Sequence, residues 1–134
     1  MISLISCQSN SKTAKNFTAD PLTLDSHAWA LDKWEKDGKD HQNSFMEECF
    51  IQFDNNLKQV QGSDGCNNFN GTYQLEGNKV TMGPLASTKK YCGEESAKDE
   101  KNFHSLLSAF EITELTAEKL VIKNDSDMLI FKSK

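Results

Sequence analysis

Along the chain, apolar positions alternate with polar ones in short bursts separated by turn residues. Trp29-Ala30-Leu31-Asp32-Lys33-Trp34 predicts a first strand with Trp29 and Leu31 inward, and Glu47 to Phe53 (EECFIQF) is the clearest strand, with Cys49, Ile51 and Phe53 on one face. Asp54-Asn55-Asn56 marks a tight turn, since these residues tolerate positive φ and bond their own backbone, and Leu57 to Gly62 pairs back. Gly71 to Leu75 and Lys79 to Met82 form the next two arms around Glu76-Gly77-Asn78, a hairpin signal. Three more short strands follow near the end: Glu111 to Leu115, Lys119 to Lys123 and Asp127 to Lys132. The last is apolar on both faces, as a central strand is. One stretch has a different period. Phe103, Leu106, Leu107 and Phe110 fall at i, i+3, i+4 and i+7, which predicts a helix with this stripe inward, Asp99, Lys101, Asn102 and Ser105 in water, and Ser96 with Asp99 as a capping box. The expected fold is α+β: a small antiparallel sheet or barrel-like meander of about eight short strands with one helix packed against it.

The chain before this pattern reads differently. Residues 1–24 are assigned to a truncated signal and polar tether, and residues 25–134 to the domain. Leu4-Ile5-Ser6-Cys7 is similar to a bacterial lipobox, whose cysteine receives lipid and becomes the first residue after cleavage. The stretch before Cys7 is uncharged and shorter than a full secretory signal. An acyl chain on Cys7 would hold the domain at a bilayer with no protein segment inside it, the polar run Gln8 to Asp20 serving as a tether.

With Cys7 lipidated, three cysteines remain. Cys66 and Cys92 sit among turn residues, whereas Cys49 belongs to an apolar alternation, so a Cys66–Cys92 bridge with a free, buried Cys49 is expected. Chain-entropy bookkeeping makes such a bridge worth roughly 3 to 4 kcal/mol. Zinc is a poor fit, because no cysteine pair has the close spacing of a zinc site.

Composition and charge narrow the function. The chain has 134 residues, a mean hydropathy of −0.63 and a net charge of −5, which fits one small domain and opposes binding of nucleic acid through phosphates. Eight Phe, two Trp and two Tyr supply a core despite the low apolar content. No run reaches the roughly 18 apolar residues of a membrane-spanning helix.

The middle of the chain carries a resemblance. Gly62, Gly65-Cys66-Asn67, Gly71 with Tyr73, and Thr88 with Cys92 resemble the core motif of the META domain family, whose members include the heat-shock protein HslJ. The likeness extends to Trp29-Ala30-Leu31, Phe50 to Asp54, the helix around Phe103 to Phe110, and Leu129-Ile130-Phe131. Cys49, Asp64 and Lys89-Lys90-Tyr91 depart from that pattern. The resemblance implies a β-rich domain of the bacterial envelope, on the periplasmic side of the outer membrane, tied to stress response and without enzymatic activity or cofactor. It is expected to be a monomer that contacts another envelope protein and meets the membrane only through Cys7.

The motif residues read as architecture. Gly62, Gly65 and Gly71 permit positive φ and close approach, and Asn67 and Asn68 bond local backbone. A hydrolase would have to use His104, which is expected to face solvent, and no Gly-x-Ser-x-Gly elbow accompanies it; His27 and His41 fall in polar segments. A carrier of apolar ligands in the barrel interior is the other alternative, disfavoured because the aromatic residues are all needed for the core. Asp125-Ser126-Asp127 lacks the Gly and distal Glu of a calcium loop and reads as a turn. Lys89-Lys90 beside Tyr91 forms a small basic patch.

Overall fold

The structure is a computed structural model and describes residues 18–134. Its strands are β1 (Trp29–Lys36), β2 (Lys39–Asp40), β3 (Cys49–Asp54), β4 (Gln59–Asp64), β5 (Asn68–Glu76), β6 (Lys79–Met82), β7 (Ala86–Ser87), β8 (Ala109–Leu115), β9 (Lys119–Asn124) and β10 (Asp127–Ser133). Among the described residues two helices accompany them, α1 (Pro21–Asp25) and α2 (Glu94–Leu107).

Eight of the strands run antiparallel in the order β10-β9-β8-β6-β5-β4-β3-β1, and β10 pairs with β1, so the sheet closes on itself as a barrel. Closure removes the exposed edges that an open sheet would present. The eight strands read from the sequence are these eight. The two-residue strands β2 and β7 extend the edges of β1 and β5 and carry no alternation long enough to read.

Alternation fills the interior. Cys49, Ile51 and Phe53 of β3, Val60 of β4, Phe69 and Tyr73 of β5, Val80 and Met82 of β6, and Leu129 and Phe131 of β10 are all buried in one cluster. The first strand departs from strict alternation. A bulge between Leu31 and Lys33 resets the register against β10, so Trp34 turns inward beside Trp29 while Leu31 is only half-buried.

Helix α2 also differs from its sequence reading. It begins after Gly93, which has φ of 109°, so Ser96 lies within the first turn and bonds Glu100 at 2.9 Å instead of capping. It ends at Leu107, and Phe110 belongs to β8, where the same inward direction is reached from a strand. Asp99, expected in water, is buried.

The packed structure starts earlier than residue 25. Ala19 donates its N–H to Gly77 O at 3.0 Å, and α1, capped by Asp20 with Pro21 in its first turn, buries Leu24 completely. Asp25 accepts from Asn55 N at 3.0 Å. These bonds tie α1 to the β3–β4 and β5–β6 turns, which share one end of the barrel. Helix α2 covers the opposite end, where Asn124 Nδ2 donates to Ala109 O at 2.8 Å beside the end of the helix.

Candidate functional site

The polar side chains concentrate where α2 meets the end of β4. Val60, Gly62 and Asp64 alternate inward along β4, which carries the Asp64 carboxylate into the mouth of the barrel opposite Cys49. Only 2 % of the Asp64 side chain is exposed, so its oxygens need partners from the protein. Oδ1 accepts from the N–H groups of Cys66 and Asn67 at 3.0 and 2.7 Å, and Oδ2 accepts from His104 Nε2 at 2.7 Å. Burial pushes the Asp64 carboxyl up, but the imidazole and the two N–H groups outweigh it and hold the group below its ordinary value.

His104 is therefore not the solvent-facing side chain that its sequence context suggested. It stands half-buried, with its ring edge against Phe69 at 5.4 Å between centroids. Ser96, Glu100, His104 and Leu107 continue one face of α2, polar toward its start and apolar toward its end. The apolar half gives a periodic signal; the polar half gives none, because its burial depends on partners from distant loops.

Asn67 connects those loops. Its Oδ1 accepts from Thr88 Oγ1 and Lys90 N at 2.8 and 2.7 Å, and its Nδ2 donates to Lys90 O at 3.0 Å and Glu100 Oε1 at 3.3 Å. Cys66 and Cys92 are joined in a disulfide 26 positions apart, and Cys49 is a buried free thiol. Desolvation, aided by the charges of Asp64 and Glu48, raises the Cys49 thiol well above its usual value and keeps it neutral.

The three motif glycines have different roles. Gly65 alone has positive φ, 91°, and a β-carbon there would strike the Phe45 ring. At Gly62 a β-carbon would run into the Phe50 carbonyl, and at Gly71 it would lie 2.7 Å from Leu85 Cδ2. Tyr73 is remote from this cluster: it packs edge-on to Phe53 at 5.0 Å near α1. Burial, with smaller effects from Asp25 and Asp54, pushes its hydroxyl up to about 12.

A second histidine was missed in the sequence. His41 Nε2 donates to Asp99 Oδ1 at 2.8 Å, Ser44 N donates to Oδ2 at 2.8 Å, and the ring lies 4.8 Å from Trp34. Both pairs couple a half-buried imidazole to a buried carboxylate of complementary geometry. His27 rests edge-on to Trp29 at 6.0 Å. Cys7 lies outside the described residues.

A histidine oriented by a carboxylate is two-thirds of a hydrolytic triad. Among the described residues, no hydroxyl or thiol hydrogen-bonds to the His104 ring: Thr88 Oγ1 is engaged by Asn67 and Asn68, and Cys66 is in the disulfide. No group of three or more His, Cys, Asp and Glu side chains among them forms a metal cluster.

A closed eight-stranded antiparallel barrel with one main helix is the class of domain this geometry defines. A match to the META domain spans residues 21–134, and the chain belongs to that family. Its fold is similar to a protein from Burkholderia xenovorans solved by NMR, at 20 % identity and a TM-score of 0.69 over 86 % of this chain and 88 % of that one. A second NMR structure matches at 24 % identity and a TM-score of 0.66, covering 86 % and 95 % of the two chains. A lipocalin-like protein from Bacteroides uniformis matches at 18 % identity and 0.58, covering 84 % and 99 %. Among curated proteins no relative matches.

Proposed function

We propose that this META domain is a non-enzymatic component of a bacterial envelope, held on the periplasmic side of the outer membrane by lipid on Cys7. It acts by docking its outer surface on another envelope protein during stress. The observation that carries this reading is the filled interior: Trp29, Trp34, Phe53, Phe69, Phe103 and Phe131 are each at most 2 % exposed and occupy the space in which a carrier would hold cargo. The likeness to a lipocalin-like fold supports a carrier only at the level of architecture. The polar residues at the α2 end have partners within the fold, and the disulfide suits an oxidising compartment. Outward, Leu22, Met46, Leu57 and Tyr91 leave large apolar side chains in solvent.

Three measurements in cells test the reading. Metabolic labelling with a clickable fatty acid is expected to mark the protein, and Cys7→Ser to lose the label and leave the membrane fraction. Photocrosslinking residues at positions 57 and 91 are expected to give a discrete adduct with one envelope protein. His104→Ala is expected to retain cellular function at a temperature where it stays folded. Unlabelled protein, no adduct from any exposed position, or loss of function by folded His104→Ala would each remove the corresponding part of the proposal.

A further inference from the structure

An open groove runs between residues 82–91 and α2. It has two halves, one of about 580 Å³ lined by Met82, Pro84, Leu85 and Ser108, the other of about 360 Å³ lined by Lys89, Lys90, Tyr91 and Lys101. Ser87 and His104 line both, so the halves adjoin. Each falls within the range of small-molecule sites, roughly 300 to 1,000 Å³.

The topology creates it. Met82 N bonds Ser108 O at 2.9 Å, closing β6 against the start of β8, and Gly83 N bonds Thr72 O at 3.0 Å. From there the chain follows β5 through β7, away from β8, and leaves a trough beside the helix. Leu85 lies over Gly71, where a β-carbon would collide with it, so its side chain is held at the groove wall.

The two halves differ in chemistry. The first offers a proline ring and a leucine, with the buried Met82 behind them. The second is lined by three lysines, together with Asp64 and Glu100, on a chain whose net charge is −5. Both of these carboxylates accept hydrogen bonds within the fold, Asp64 from His104 and Glu100 from Ser96 and Asn67. Glu47 approaches Lys90 only at 3.9 Å between exposed side chains, a contact of little worth. Among the described residues, Lys89 and Lys101 have no carboxylate partner within salt-bridge distance.

We propose that this groove binds a free amphipathic anion, an acyl chain ending in carboxylate or phosphate. Lys89, Lys90 and Lys101 hold the head by charge-assisted hydrogen bonds, and Pro84 and Leu85 receive the start of the tail. The site lies outside the barrel and shares Tyr91 with the docking surface proposed above, whereas Leu57 of that surface is not among its lining residues.

The test is an NMR titration of nitrogen-labelled protein with dodecanoate and with dodecyl phosphate, each below its micelle concentration. Saturable shifts confined to residues 82–91 and 97–108 are expected. The double variant Lys89→Glu/Lys101→Glu, both changes on exposed side chains, is expected to weaken binding about tenfold or more while leaving Tm unchanged. Dodecyltrimethylammonium, with the same tail and opposite charge, should bind far more weakly, as should acetate and inorganic phosphate. Equal binding of the cationic analogue, equal binding of the tailless anions, shifts scattered over the barrel, or binding only to phosphatidylglycerol vesicles would each overturn the proposal.

Discussion

The two ends of the barrel are closed by opposite means. At the α1 end the seal is apolar: Leu24 fills the opening, Trp29 Nε1 donates to its carbonyl at 2.9 Å, and Tyr73 packs on Phe53. At the α2 end buried carboxylates and an amide form the seal, held by two imidazoles, several N–H groups and a disulfide. Apolar burial is indifferent to protons and reductants, whereas the second kind of seal responds to both. One end is therefore a fixed plug, and the other depends on an ionised Asp64 and an intact disulfide.

Breaking the covalent element should have the largest effect. Cys66→Ser/Cys92→Ser is expected to lose roughly 3 to 4 kcal/mol in chemical denaturation, and a reductant should reproduce the loss in the wild type but add nothing to the variant. Next, Leu24→Ala should cost about 3 kcal/mol by opening a cavity at the α1 end, with no dependence on pH or reductant. His104→Ala should cost about 2 kcal/mol, because it leaves a buried carboxylate short of one partner, and its effect should be present above about pH 4, where Asp64 is ionised, and fade as the pH falls through the native Asp64 value. An equal cost for His104→Ala at all pH values would remove the distinction between the ends.

The contrast also explains what the sequence reveals. The eight barrel strands are legible because each hairpin repeats a two-residue alternation with turn residues at its tip, as in Cys49-Ile51-Phe53 and Val80-Met82. The apolar half of α2 is legible for the same reason, at its own period. The α2 seal is not, since Asp64, Asn67 and Asp99 resemble surface residues until the partners arrive, and Asp64 meets His104 across 40 positions. The α1 plug is missed differently: a five-residue helix with one buried leucine is too short to show a period. Bulges on β1 and β8 likewise leave no mark in the pattern.

Hydrogen exchange followed by NMR as the pH is lowered tests the distinction between the two seals most directly. The Asp64 carboxyl is depressed in the folded state, so its stabilising contribution is complete above the ordinary aspartate value of about 4 and disappears as the pH falls through its native value. Amides of α2 and of residues 64–68 are expected to lose protection in that window before those of α1 and β3, with a carbon-detected titration placing Asp64 below an ordinary aspartate. Simultaneous loss of protection at both ends, with Asp64 titrating as an ordinary or raised carboxyl, would contradict the account.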